Sequence, residues 1–287
     1  MGRQMKIGIE GATWTDVQHG PNADRWGFTA STAWVVDGAT TPSRLRCCAL
    51  GPDWYANALS VNLQRFARDW LPLVNIVSAA VSEVSSQHAT VDPRPCPGRV
   101  TPSAAIALCR VGVDKVEYLV LADCTFLCVS DSSVTEVVDQ RLERVAVEIR
   151  SRYRDARTSG ETKYSYALRE ELVQDEFAAR NVDGGYFVAS LDPGCVRGAL
   201  TGSVELPTSG RAVVALLTDG VDTRRLSSAA ESLPDLLRGG IGPADLVAGN
   251  SAGSGNTSTQ HPNRDDATAV VICAEISNNP VSLRPAS

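Results

Sequence analysis

The chain has 287 residues, 43% of them hydrophobic and 21% charged, with a formal net charge of −6. That size and mix suit a soluble globular protein with a substantial core, and the acidic balance argues against attraction to nucleic acid or an anionic membrane. Eight cysteines (47, 48, 96, 109, 124, 128, 195 and 273) form no CxxC pair, and adjacent Cys47 and Cys48 lack metal-pair spacing. Most lie in apolar text such as "ALCRV" and "VVICAE", which fits reduced, buried thiols. The start, "MGRQMKIGIEGATW", has no h-region, and no apolar run approaches ~18 residues. A cytoplasmic location and no membrane segment are therefore expected.

In chain order, "MKIGIEGAT" and "RWGFTASTAWVVDG" read as strands, rich in β-branched and aromatic residues and punctuated by glycine. From Pro52 to Ser86 the period becomes helical, with Leu59, Leu63, Phe66 and Trp70, an interruption at Pro72, then Val77, Ala80, Val81 and Val84. Two helices, or one broken helix, are predicted there. After the proline-rich "QHATVDPRPCPGRVTPS", the segments "AAIALCRVG", "KVEYLVLAD", "TFLCVSD" and "SVTEVVDQ" predict an antiparallel meander. Leu142, Val145, Ile149 and Tyr153 mark a helix, and another spans about Tyr164 to Ala179. Strands return as "GGYFVASLD", "GALTGSVELP" and "AVVALLTDG". Short helices near Ser227–Glu231 and Pro234–Leu237 precede a Gly/Ser/Asn-rich loop at about 250–262. "DDATAVVICAE" is the last strand, and about 277–287 reads as a loose tail. Helix pairs alternating with runs of strands favour an α+β domain over a doubly wound parallel sheet. One domain over 1–287 is expected.

Five aspartates share a setting. Asp24 precedes a strand in "GPNADRWGF"; Asp37 and Asp219 each close an apolar run and are followed by glycine. Asp123 lies between strands in "LVLADCTFLCV", and Asp265 opens the final strand in "NRDDATAVVI". Strand ends of a sandwich can converge on one cleft, where clustered carboxylates repel and raise one another's pKa unless positive charge intervenes. Mg²⁺ or Mn²⁺ suits such an all-oxygen set. Any single Asp-Gly is ordinarily just a turn; the case rests on the ordered set.

That set, "NAD" (Asn22–Asp24), "VDG" (Val36–Gly38), "ADC" (Ala122–Cys124), "TDG" (Thr218–Gly220) and "DDAT" (Asp265–Thr268), resembles the motifs of the metal-dependent serine/threonine protein phosphatases of type 2C, in a bacterial-type single-domain form. The likeness runs from about Ile7 to Glu275. It implies a four-layer α-β-β-α sandwich, two central antiparallel sheets flanked by helix pairs. It also implies two Mg²⁺ or Mn²⁺ ions, a further weaker site for a third, and a phosphorylated protein substrate. By position, Asp37 would bridge two ions and act as the catalytic carboxylate, with the Gly38 carbonyl binding one ion through water. Asp219 and Asp265 would hold one ion, Asp24 would support the assembly, and Asp123 would attend the third. The attacking group would be a water shared by two ions, with no phosphoenzyme intermediate.

The chain departs from that pattern in places. Ala23 stands where the family often has Glu, and His19 where many members carry a phosphate-binding Arg, with Arg25 nearby. Ala39 and Thr40 follow Asp37-Gly38, so a histidine general acid is absent, and Asp266 replaces a usual Asn. His88 and His261 receive no role. The leading expectation is a phosphoserine/phosphothreonine phosphatase. Alternatives are a catalytically weak pseudophosphatase that binds a protein partner, or a phosphatase for a small metabolite.

Overall fold

The computed structural model describes residues 2–15, 20–39, 49–92, 101–223, 232–248 and 265–279. Its strands are β1 (Gly2–Trp14), β2 (Asp24–Phe28), β3 (Thr32–Ala39), β4 (Ser103–Val111), β5 (Lys115–Leu121), β6 (Thr125–Ser130), β7 (Val134–Val138), β8 (Leu200–Glu205), β9 (Gly210–Leu217) and β10 (Ala267–Asn279). They form two five-stranded sheets, one ordered β1-β10-β9-β6-β7 and the other β2-β3-β4-β5-β8, with every pairing antiparallel. The helices are α1 (Pro52–Phe66), α2 (Leu73–Val91), α3 (Val147–Thr158), α4 (Thr162–Ala179), α5 (Leu233–Gly239) and α6 (Pro243–Ala248).

The two-residue period of the strands decides the layering. On β3, Trp34 and Val36 face α1 and α2, packing with Leu59, Leu63, Ile76 and Val81. Alternate residues Ala33 and Val35 point the other way, onto Val214, Leu216, Val270 and Ile272 of the opposite sheet. That second sheet in turn sends Leu127, Val213, Ala215 and Ala269 outward against Leu233 and Leu237 of α5 and Leu246 of α6. Three apolar layers alternate with four layers of structure, so the expected α-β-β-α order is observed. Each wholly buried Leu or Ile contributes roughly 1.5–3 kcal/mol of transfer free energy.

Local signals account for the helix limits. Pro52 begins α1 where an amide donor is dispensable, and Pro72 separates it from α2. Ser232 and Asp235 form a reciprocal capping box on α5, which ends on left-handed Gly240. Among the described residues no helix is long and apolar enough to cross a membrane.

Three expected elements differ. "GGYFVASLD" is not a strand, although Tyr186 and Val188 join the inter-sheet core while Phe187 and Ala189 join the helix-covered one. Its backbone makes one reciprocal pair with Ala104, at 2.9 and 3.0 Å, and a bridge from Arg180 to Tyr186. β5 already ends opposite Ile106, so only a short slot beside β4 is left for it. The helix expected from Leu142 is a 3₁₀ turn at Leu142–Arg144, and α3 starts only at Val147, after Ala146 takes a left-handed φ of 52°. Of the tail expected over about 277–287, Ser277–Asn279 pair with Gly2–Gln4 and the rest lies outside the described residues. The helix expected near 227–231 and the loop at about 250–262 lie outside the described residues.

Candidate metal centre

At one end of the sandwich the inward-facing positions stop being apolar. On β9 the inward series Ala212, Val214, Leu216 continues to Thr218, and on β10 Ile272 and Val270 lead back to Thr268. On β1 the series Met5, Ile7, Ile9 reaches Thr13. In the facing sheet, Ala33 and Val35 are followed by Asp37, whose register partner on β2 is Asp24. The last rung of the layer is therefore two carboxylates facing three hydroxyls.

The other acidic residues lie just past that rung. Asp123 sits in the connection that carries the chain from β5 in one sheet to β6 in the other. Asp123 and Asp219 each lie two residues beyond Thr125–Leu217, the last pair of the β6–β9 ladder, and Asp123 acts on Asp219 as a like charge. Asp265 is exposed and precedes β10, its carboxylate accepting the Asp266 amide at 2.9 Å. Asp266 reaches across to accept the Ala23 amide at 2.7 Å, tying the start of β10 to that of β2.

The electrostatics follow from this crowding. Burial first, then repulsion from Asp266 and Asp265, raises the Asp24 carboxyl to about 7, while the neighbouring Thr218 and Thr268 hydroxyls lower it. Asp37 is pushed well above the carboxylate range by burial and by Asp219, Asp24, Asp123 and Asp265. Burial, then Asp123 and Asp265, lifts Asp219 to about 8, opposed by a hydrogen bond from Asp37. Asp219 is exposed, so water screens this repulsion as well as relieving the burial. Asp123 is raised by burial and Asp139 and lowered by Arg150. The charges acting most on Asp24, Asp37 and Asp219 are all aspartates.

Among the described residues, no group of three or more His, Cys, Asp or Glu side chains stands in a geometry ready to hold an ion. Instead Asp37 and Asp219 act on one another as like charges, and carboxyls crowded in this way hold on to protons. The donor chemistry nevertheless fits hard divalent cations: Asp24, Asp37 and Asp219 have no cation among the charges acting most on them. The backbone is also closely fitted. A side chain on Gly38 would come within 2.8 Å of the Pro52 carbonyl and 2.9 Å of the Ala23 carbonyl. At Gly220 a Cβ would lie 1.9 Å from the Asp266 carbonyl, so Gly220→Ala must push the segment after β9 away from the start of β10. We expect that variant to weaken Mn²⁺ binding by at least about 10-fold, a range known for displaced ligand supports; calorimetric titration checks it, and an unchanged affinity would separate the two segments functionally.

Of the two candidate phosphate contacts, His19 lies outside the described residues. Arg25 is on the opposite face of β2 from Asp24. Its guanidinium donates to the Asn22 and Asp24 carbonyls at 2.8 and 2.7 Å and to Asn57 of α1 at 3.3 Å. It pins the start of β2 rather than facing the carboxylates, because odd positions of that strand point to the helices. Thr13, Thr218 and Thr268 are not among the residues expected from the sequence. Their signal was positional, a hydroxyl one inward step past the last apolar residue of three strands.

This end-of-sandwich arrangement occurs on a known architecture: the fold is that of bacterial serine/threonine phosphatases of solved structure. The catalytic domain of the phosphatase PstP, solved with two manganese ions, superposes with a TM-score of 0.56 at 13% identity, covering 96% of this chain and 100% of that one. PppA, a regulatory component of the type VI secretion system in Pseudomonas aeruginosa, matches at 0.54 and 15% identity, over 92% and 96% of the two chains. Stp1 of Staphylococcus aureus matches at 0.52 and 13%, over 95% and 96%. No family model and no curated protein sequence matches the chain. At these identities the shared property is the fold.

Proposed function

We propose that this chain is a Mg²⁺- or Mn²⁺-dependent phosphomonoesterase that hydrolyses phosphoserine and phosphothreonine in proteins. One observation carries the reading: both sheets exchange apolar for acidic or hydroxyl residues on the same terminal rung, in a fold whose solved examples are serine/threonine phosphatases. Asp37 would be the carboxylate shared by two ions, with Asp219 and Asp265 completing one ion's set, the Gly38 carbonyl acting through water, and Asp24 supporting the assembly. Asp123 would attend a weaker third ion. When bound, the ion pair supplies an activated water and positive charge for the phosphoryl oxygens. For their part, Asp37, Asp219 and Asp24 must give up their protons before they can act as ligands. With Ala39 after Gly38, the chain offers no histidine there for the leaving group, which takes its proton from solvent.

A second reading, a pseudophosphatase that binds a partner, is favoured by Ala23 in place of a carboxylate and by the use of Asp266 as a backbone clasp. Hydrolysis of an aryl phosphate with and without Mn²⁺, alongside metal counted per chain, discriminates the two. We expect Mn²⁺-dependent turnover and two ions per chain; metal uptake with no turnover would establish the pseudophosphatase instead. Phosphopeptides tested against phosphorylated metabolites then assign the substrate class.

A further inference from the structure

The terminal rung contains a closed ring of hydrogen bonds joining the two sheets. Thr218 Oγ1 donates to Asp24 Oδ2 at 2.9 Å. The same oxygen accepts the Thr268 amide at 2.9 Å. Thr268 Oγ1 meets Thr13 Oγ1 at 2.8 Å, and Asn22 Nδ2 donates to Thr13 Oγ1 at 3.0 Å. Asn22 Oδ1 accepts the Asp24 amide at 2.7 Å, which closes the ring on the residue where it began.

A hydroxyl has one proton to give. The Thr268 amide occupies an acceptor site on Thr218, and the rival acceptor for its proton, the Thr268 carbonyl, is at 3.5 Å. The proton is thus directed at Asp24. Thr218 is 2% exposed and Thr268 is fully buried, so water does not compete for these bonds. Thr218 is itself held to the adjacent strand through its amide, which donates to the Thr268 carbonyl at 3.0 Å.

Resting on the metal-centre reading above, we propose that Thr218 is a positioning residue of that centre: its hydroxyl fixes Asp24 Oδ2, so that the other sheet's carboxylate is presented to the ions in one orientation. A ligand set drawn from two separate sheets needs such a tie, because nothing in the covalent chain between β2 and β9 fixes the angle at which Asp24 meets Asp219. The ring sets that angle through β1, β10 and β9 together. Threonine suits the task because its methyl restricts χ1 and so aims the hydroxyl.

The test compares Thr218→Val, which keeps shape and removes the hydroxyl, with Thr218→Ser, which keeps the hydroxyl. Mn²⁺ affinity is measured by calorimetry on the full chain, and melting is followed in chelator. We expect valine to weaken Mn²⁺ binding by about 10- to 100-fold, the range for groups that orient ligands, and serine to restore most of it. Melting in chelator should not track that order. Valine binding Mn²⁺ as tightly as wild type, or serine as weakly as valine, would overturn the proposal. If valine fails to fold, Thr218→Ala replaces it; failure of both in chelator would make Thr218 a packing residue and overturn the role as well. Wild type that takes up no Mn²⁺ would sink the metal-centre reading and this role together, whereas loss confined to the variants' comparison touches this role alone.

Discussion

Asp37→Asn is expected to lower Mn²⁺-dependent release of phosphate from an aryl ester by about 1000-fold or more, while the protein stays folded. The asparagine keeps the size of the side chain and leaves Val35 and Val36 in their cores, but it removes the carboxylate that faces Asp24 across the β2–β3 ladder and Asp219 across the sheets. The two losses have opposite signs. With metal, the centre lacks its shared ligand. Without metal, a site crowded by Asp219, Asp24, Asp123 and Asp265 loses one member, and the amide can donate to Asp219. The variant should therefore melt higher than wild type in chelator at pH 8, and lower than wild type in saturating Mn²⁺. Near wild-type turnover at saturating Mn²⁺ would refute the two-metal assignment; a variant destabilised in both conditions would mean that Asp37 serves packing.

The second large effect is on stability as a function of pH. Folding moves Asp24 from its ordinary 3.8 to about 7 and Asp219 to about 8, with Asp37 and Asp123 raised as well. Between the unfolded and folded values the native state binds more protons than the unfolded chain, so stability falls as pH rises. The contribution is fully present below about 4 and is lost on passing through 7 to 8. Moving one buried carboxyl from 3.8 to about 7, as for Asp24, corresponds to roughly 4 kcal/mol. Metal-free protein should thus melt at least about 5 °C lower at pH 8.5 than at pH 6. With Mn²⁺ the order reverses, because deprotonated carboxylates bind the cation and protons compete with it below about 7. Thermal melts in chelator and in Mn²⁺ across pH 5.5–8.5 test both arms. A metal-free protein equally stable at pH 6 and 8.5 would mean that the aspartates do not crowd one another.

How much of this was legible in the sequence depended on the kind of signal. Asp37 and Asp219 stood out because an apolar run ended abruptly on Asp-Gly, and the same interruption marks the last rung in three dimensions. The two sheets followed from strand runs with short polar turns, and Pro72 gave the boundary between α1 and α2. The hydroxyls of Thr13, Thr218 and Thr268 carried no such contrast. Threonine is a good strand former, so its presence at a strand end reads as nothing unusual. The segment Gly184–Asp192 misled for a different reason. Its burial does alternate, with Tyr186 and Val188 on one side and Phe187 and Ala189 on the other, but alternation records which sides are covered, not whether a neighbouring strand is long enough to pair with. The start of α3 was missed because nothing in "RLERVAVEIR" announces that Ala146 will adopt positive φ. Arg25 looked suitable by proximity in sequence, yet strand alternation turns it to the far face from Asp24.

Every acidic residue of the set lies on a strand or within two residues of one: Asp24 opens β2, Asp37 nearly closes β3, and Asp123, Asp219 and Asp265 flank β5, β9 and β10. The spacing of the cluster is thus dictated by the ladders, while the intervening connections are free to lengthen, shorten or change character. In such an arrangement the connections can be rewritten wholesale without moving a carboxylate, because the strand-to-strand spacing and the alternation of side chains hold each rung in place.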